Sequence, residues 1–226
     1  IKAVDPNLPV VGIDCSGFDF SFIRGVLENG GGDYMDIISL HPYPFDKTKY
    51  DETETIEKYK TLMNLLKEFN VEDKPIYFTE AGMSSCTGGY TEREQANALI
   101  MFNAVARAYD MCDAYLMYCF YDGNNPDERE HNWGLARNWI DDGLGHIPNG
   151  AKPSFLSYAT MNNLWGEGSE LIGFDDDDLY YGFHFMNRLI DKDVLLLIAN
   201  TDRADAFKSY ELGCSSVDLY DDFGNK

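Results

Sequence analysis

The sequence predicts an α/β protein in which a parallel sheet is followed by a small antiparallel β module. Three observations support this prediction. Between residues 9 and 165, short apolar runs alternate four times with amphipathic helical stripes, a pattern typical of right-handed βαβ units and a parallel sheet. These units repeat with a period of roughly 40 residues, as in a barrel wall or a doubly wound sheet. From about Gly166 the helical stripes stop and short strand-like runs replace them.

The first two strand and helix pairs are bounded by glycine and proline. The first strand is predicted over residues 9–14, and the helix after it stops at Gly30. The second strand is predicted over 35–41 and is broken by Pro42. A helix is expected within residues 55–70, because its apolar side chains return on one face.

The third and fourth pairs carry clearer start signals. The third strand is predicted over residues 74–80, and Thr91 and Glu94 have the spacing of a capping box at the start of the next helix. The fourth strand is predicted over about 114–121. A long loop then leads to a last helix that starts at a lysine and a proline, residues 152–153.

The remaining residues are predicted to be short strands separated by acidic and asparagine turns. The strand-like runs are ELIGF, LYYGFHF, VLLLIAN and SVDLYDDFGN. We therefore expect two domains, an α/β unit over residues 1–165 and an antiparallel β module over 166–226.

The charge of the chain excludes several partner classes. The 226 residues include 39 acidic and 18 basic side chains, for a formal net charge of −21. Such a surface repels nucleic-acid phosphates and anionic membrane surfaces, so neither nucleic acid nor membrane is an expected partner. A neutral substrate such as a sugar is not disfavoured.

Polar and aromatic side chains cluster where the predicted strands end. They are Asp14, Cys15 and Ser16, then His41 and Tyr43, then Glu80, then Tyr118, Phe120, Tyr121, Asp122 and Asn124. Carboxyl ends of parallel strands are where ligands bind in such folds. The chain has no glycine-rich phosphate loop, no GxSxG elbow and no paired histidines on a helix. We therefore expect no cofactor and no metal ion.

The residues that remain suit sugar chemistry. Aromatic rings pack against pyranose C–H faces, and polar groups bond sugar hydroxyls. The candidate substrate-binding residues are His41, Tyr43, Tyr118, Tyr121, Asp122 and Trp133. Simpler interpretations exist: His41 could bond a strand-end carbonyl, Tyr118 could fill the interior of a barrel, Trp133 could pack under its loop, and Glu80 could cap a turn.

Six stretches together resemble the second half of the (β/α)8 barrel of retaining glycoside hydrolases of clan A. They are IKAVDPNLPVVGID, DIISLHPYPF, KPIYFTEAGMSS, DAYLMYCFYDG, NWGLAR and KPSFLSYATMNNLWG. The resemblance covers about residues 1–165 as barrel strands five to eight, and residues from about 166 resemble the start of a β-sandwich. Its most specific element is KP, three apolar residues, then TE, one residue and a glycine.

The resemblance implies that Glu80 is the catalytic nucleophile of a retaining glycosidase acting on an oligosaccharide or polysaccharide. The clan's acid/base glutamate follows an asparagine at the end of strand four, and no suitable Asn-Glu pair occurs here. The expected structural partner is thus a missing N-terminal half of the barrel, and a fragment without it should be inactive. The clan also often carries a tryptophan on strand eight, where this chain has Tyr118, Phe120 and Tyr121.

Two other functions stay open at this point. One is a noncatalytic carbohydrate-binding or scaffold protein with a degenerate barrel. The other is a different α/β enzyme in which Glu80 acts as a base on a small carbonyl substrate. Localisation is also open: an acidic surface and a sugar-polymer substrate favour export, whereas five cysteines without paired spacing favour a reducing compartment. The extracellular alternative is preferred.

Overall fold

The fold is a parallel four-stranded sheet with helices on one side and an antiparallel three-stranded sheet packed beside them. It was obtained as a computed structural model, which describes residues 1–43, 50–141, 146–148, 150–176, 180–199 and 214–226. No helix among these residues is long and apolar enough to cross a membrane.

The parallel sheet contains four strands in sequence order. They are β1 (Val11–Ser16), β2 (Ile37–His41), β3 (Ile76–Ala81) and β4 (Ala114–Met117). All three neighbouring pairs are parallel, as the alternation of strands and helices predicts. The carboxyl ends of the strands therefore meet at one edge.

Helices connect the strands and cover one face of the sheet. They are α1 (Phe20–Glu28), α2 (Glu52–Glu68), α3 (Glu92–Ala108) and α4 (Pro153–Trp165). The predicted capping box is confirmed: Thr91 and Glu94 each accept a hydrogen bond from the other's backbone N–H. Helix α3 is the most deeply buried of the four, and this places it at the centre of the core.

Strand β4 is shorter than the sequence predicts. Its regular pairing with β3 ends at Met117, and the chain then pairs with a later loop. The N–H of Cys119 bonds the carbonyl of Trp133, and the N–H of Leu135 bonds the carbonyl of Cys119. The loop before α4 also contains a short hairpin of β5 (Trp139–Asp141) and β6 (His146–Pro148).

The antiparallel sheet consists of β7 (Ser169–Asp176), β8 (Tyr180–Asn187) and β9 (Lys192–Ala199), with β8 in the centre. It shares the core of the helices: the Trp165 ring stacks on Phe185 at 5.0 Å between centroids. The Arg107 guanidinium on α3 donates to the carbonyls of Trp165, Gly166 and Ser169. These contacts fix the start of the β module against α3.

The prediction of a strand in SVDLYDDFGN is wrong, because residues 216–225 form no strand. Instead, the Asp221 carboxylate accepts hydrogen bonds from the N–H groups of Phe223 and Asn225. Aspartate side chains that bond their own backbone in this way favour turns over strand pairing. Arg93 holds this turn by its ion pair with Asp222.

Candidate active site

The candidate site lies at the carboxyl edge of the parallel sheet. In the strand register, Leu40 pairs with Phe78, so the carboxyl end of β2 lies beside the last residues of β3. His41 ends β2, Tyr43 follows two residues later, and Glu80 lies near the end of β3. Parallel pairing thus brings together residues that are almost 40 positions apart in the chain.

Tyr43 and Glu80 are joined directly. The Tyr43 hydroxyl donates a hydrogen bond to Glu80 Oε2 at 2.8 Å, and His41 Nδ1 lies 3.5 Å from the same oxygen. The Glu80 side chain is 39% exposed. A carboxylate that is oriented by a donor and still open to solvent can attack or bind a ligand.

Burial and the hydrogen bond to Glu80 raise the pKa of the Tyr43 hydroxyl, with burial the larger cause. The hydroxyl therefore stays protonated across the physiological range. Because a phenol O–H can donate only while it is protonated, Tyr43 remains a donor to Glu80. Burial also raises the pKa of the nearby Tyr118 hydroxyl.

Aromatic rings form a wall beside this pair. The Tyr43 ring lies 4.8 Å from the Trp133 ring and 6.3 Å, edge-on, from the Tyr118 ring, measured between centroids. Trp133 is buried and Tyr118 is partly exposed. Tyr121 packs edge-on against Phe120, also with an exposed face. The structure thus brings His41, Tyr43, Glu80, Tyr118 and Trp133 into one group.

Asp122 has a different environment from the other predicted site residues. Its carboxylate accepts hydrogen bonds from Lys152 Nζ at 2.7 Å and from the backbone N–H of Gly134 at 2.8 Å. The Lys152 side chain is 1% exposed and that of Asp122 is 9% exposed. Burial raises the pKa of Asp122 and lowers that of Lys152, although their ion pair opposes both shifts. Both bonds end on Oδ1 and hold the carboxylate in the interior of the protein.

Two buried residues that link the loops around the site were not identified from the sequence. Gln95 on α3 is fully buried and donates to the carbonyls of Met83, Asn132 and Gly134. It therefore ties the loop after β3 to the loop that carries Trp133. Lys152 joins the same two loops through Ser85 and the Asn132 carbonyl. No sequence motif marks such links, because they join distant segments.

Asp14 was expected at a strand end from the sequence, and no role was predicted for it. In the structure its Oδ1 accepts hydrogen bonds from Ser39 Oγ at 2.5 Å and Thr79 Oγ1 at 2.9 Å. The same oxygen lies 3.7 Å from His41 Nε2. Asp14 therefore belongs to the group around Glu80.

Gly82 allows β3 and β4 to approach closely beyond their regular pairing. A Cβ atom at Gly82 would collide with the carbonyl oxygen of Tyr118. This contact explains why a glycine follows Glu80 by two residues. Within the described residues, no group of three or more histidine, cysteine, aspartate or glutamate side chains could hold a metal ion.

Comparison with known proteins finds similar structures but no similar sequence family. No protein-family model matches the chain, and a comparison with curated proteins found no match. Among solved structures, a glucosidase from Croceicoccus marinus matches 81% of this chain with a TM-score of 0.55 at 15% identity. A GH39 enzyme from Xanthomonas axonopodis pv. citri matches 81% of the chain with a TM-score of 0.50 at 16% identity.

A calcium-binding mutant of Bacteroides uniformis beta-glucuronidase 2 also matches, over 88% of this chain, with a TM-score of 0.50 at 12% identity. The matched segments make up 38% of the glucosidase, 38% of the GH39 enzyme and 28% of the glucuronidase. The chain therefore spans well under half the length of these proteins. Over most of its own length, the chain shares the fold of the matched parts of these proteins.

Proposed function

We propose that this chain is the part of a retaining glycoside hydrolase that carries the catalytic nucleophile, Glu80. In this proposal β1 to β4 are strands five to eight of a (β/α)8 barrel of clan A, and the antiparallel sheet begins a β-sandwich. The observation that carries the proposal is the hydrogen bond from Tyr43 to a half-exposed Glu80 at the carboxyl edge of a parallel sheet.

The geometry suits nucleophilic attack by a carboxylate. Glu80 Oε2 is held by Tyr43, while the exposed part of the side chain is accessible to a sugar. Attack on the anomeric carbon forms a glycosyl ester as the leaving-group oxygen takes a proton from a second carboxyl group about 5 Å away. Water then hydrolyses the ester with the second group acting as a base. The second carboxyl group is expected outside these 226 residues.

The aromatic residues supply the sugar-binding surface in this proposal. Tyr118 and Tyr121 have exposed faces, whereas Trp133 is buried behind Tyr43. The exposed rings can pack against the C–H face of a pyranose, and His41 can bond a sugar hydroxyl. Trp133 would then support the ring of Tyr43 from behind. Asp122 is held by Lys152, and this favours a structural role over contact with substrate.

The test uses the protein expressed from its complete coding sequence. A panel of 4-nitrophenyl glycosides identifies a substrate, and proton NMR then follows the anomer released first. We expect retention of configuration, together with a covalent adduct on Glu80 after incubation with a 2-deoxy-2-fluoro glycoside. Peptide mass spectrometry locates that adduct. An inverted product, or an adduct on another residue, contradicts the proposal.

A noncatalytic carbohydrate-binding protein is the second candidate, because the exposed rings of Tyr118 and Tyr121 could hold a sugar without any chemistry at Glu80. The same glycoside panel, with calorimetry added, separates the two functions. Calorimetric binding of an oligosaccharide without turnover of any glycoside in the panel would support the binding protein and refute the enzyme.

A further inference from the structure

The backbone of β1 changes course just before Asp14. Ile13 has φ of 101° and Asp14 has φ of 50°, and the register of β1 with β2 shifts between Ile13 and Cys15. A positive φ is rare for any residue other than glycine and is an outlier for a β-branched residue. A bulge of this kind changes the direction of a side chain. Here it accompanies the turn of Asp14 toward β2 and β3.

One carboxylate oxygen of Asp14 is fully engaged. Ser39 on β2 is completely buried, and its hydroxyl donates to Asp14 Oδ1. Thr79, the residue before Glu80, donates to the same oxygen. These two bonds fix the position of the carboxylate across three strands.

The other carboxylate oxygen of Asp14 is available. Within the described residues, no donor lies within hydrogen-bond distance of Oδ2, and the side chain is 52% exposed. An oriented acceptor open to solvent is suited to a hydroxyl ligand.

Asp14 and Glu80 lie on opposite sides of one imidazole ring. His41 Nε2 is 3.7 Å from Asp14 Oδ1, and His41 Nδ1 is 3.5 Å from Glu80 Oε2. A sugar ring that reaches Glu80 would therefore have its hydroxyl groups within reach of Asp14. Within the described part of the chain, neither carboxylate forms an ion pair with a lysine or arginine. The site thus has an excess of negative charge.

We propose that Asp14 is a sugar-binding residue whose Oδ2 accepts a hydrogen bond from a hydroxyl group of a neutral sugar. This inference rests on the proposed function and defines its substrate class. Two carboxylates that share a single histidine repel an anionic substituent, so a uronic acid in the same subsite is disfavoured.

The first test replaces Asp14 by Asn in the protein expressed from its complete coding sequence. The amide oxygen can still accept from Ser39 and Thr79, so thermal unfolding should stay close to that of the wild type. Losing a hydrogen bond to a charged group should lower kcat/KM by about 10- to 100-fold. Asp33→Asn is the matched control, because Asp33 is exposed and lies before the start of β2. It should leave kcat/KM unchanged.

Deoxy substrates separate sugar binding from a purely structural role. Each hydroxyl of the preferred sugar is removed in turn, and every analogue is assayed with the wild type and with Asp14→Asn. One analogue should lose activity with the wild type but lose little more with Asp14→Asn, because the partner is already absent. If the substitution lowers kcat/KM of all analogues by the same factor, the proposal is overturned.

A pair of 4-nitrophenyl glycosides tests the substrate class. We expect the wild type to hydrolyse the glucoside or xyloside and to hydrolyse the glucuronide at least 10-fold more slowly. An equal or faster rate with the glucuronide overturns the inference but leaves the proposed function intact. So does an active wild type whose kcat/KM is unchanged by Asp14→Asn. A wild type that hydrolyses no glycoside refutes the proposed function itself, and the role of Asp14 with it.

Discussion

Glu80 lies near the end of β3 and Asp122 lies in the segment that follows the neighbouring strand β4, yet their environments are opposite. The Glu80 side chain is 39% exposed and accepts from the neutral hydroxyl of Tyr43. The Asp122 side chain is 9% exposed and accepts from the ammonium group of Lys152. A buried carboxylate needs a cation to compensate for lost hydration, whereas an exposed one does not. Position after a strand therefore does not distinguish the two carboxylates, whereas exposure and the kind of donor do.

The two environments predict that changes at Glu80 and changes at Asp122 affect different properties of the protein. Changes at Glu80 should alter turnover and leave stability nearly unchanged. Changes at the Asp122 and Lys152 pair should alter stability. Substitutions at Glu80 and Tyr43 test the expected effect on turnover, and a substitution at Lys152 tests the expected effect on stability.

The largest effect is expected for Glu80→Gln. The amide keeps the shape of the side chain and can still accept from Tyr43, but it is not a competent nucleophile. We expect kcat of the protein expressed from its complete coding sequence to fall at least about 1,000-fold, which corresponds to about 4 kcal/mol. Hydrolysis of the preferred 4-nitrophenyl glycoside measures this loss.

Glu28→Gln is the matched control, because Glu28 is exposed at the end of α1. Its activity should equal that of the wild type. Thermal unfolding of Glu80→Gln should also match the wild type, since the side chain is partly solvated. Near-normal turnover in Glu80→Gln would show that the exposed carboxylate is not the nucleophile.

The second effect is expected for Lys152→Met. Removing the ammonium group leaves the Asp122 carboxylate buried without its cation, and breaking such a pair typically destabilises a fold by about 3 kcal/mol or more. Unfolding by urea measures the change. Lys58→Met removes an exposed partner of Glu54 at a comparable distance, 2.8 Å, and should change stability by about 0.5 kcal/mol or less. Equal effects of the two substitutions would contradict the distinction between buried and exposed carboxylates.

The destabilisation by Lys152→Met should depend on pH. Burial raises the pKa of Asp122 above 3.8 even with Lys152 present, and removing the ammonium group raises it further. A carboxyl group whose pKa is raised in the folded state favours the fold when protonated and opposes it when ionised. The gap in unfolding free energy between wild type and variant should therefore shrink as the pH falls from 7 toward 4. A gap that is constant with pH would contradict the expectation that losing Lys152 changes the protonation of Asp122 in the folded state.

The fold could be predicted from the sequence because its signals are local. The capping box of Thr91 and Glu94, the alternation of strands and helices, and the glycine stop after α1 all depend on residues a few positions apart. Strand β4 was predicted too long, because the chain after Met117 pairs with the loop around Trp133. That pairing joins segments distant in sequence, and the apolar run alone does not reveal it.

The site could be predicted only in part, for the same reason. The position of Glu80 after an apolar run, and of Tyr43 after the neighbouring strand, indicated that the two would meet. The direction of Asp14 depends on the register shift in β1, which no sequence pattern marks. The difference between Asp122 and Glu80 depends on Lys152, which lies 30 residues further along the chain from Asp122. Composition cannot indicate which carboxylate such a distant lysine will reach.

The smallest effect of the three is expected for Tyr43→Phe. The phenyl ring keeps the contacts with the rings of Trp133 and Tyr118, so only the hydrogen bond to Glu80 is lost. Glu80 then loses the donor that orients it, so we expect kcat/KM to fall about 10- to 100-fold, which corresponds to about 1.4 to 2.7 kcal/mol. Thermal unfolding should change little, because Glu80 is partly exposed and water can replace the lost donor. Tyr34→Phe, at an exposed tyrosine, is the control for losing a hydroxyl. Loss of stability without loss of kcat/KM would place Tyr43 with Lys152, as a residue that holds the fold. Loss of kcat/KM alone would mean that its hydroxyl serves the exposed carboxylate.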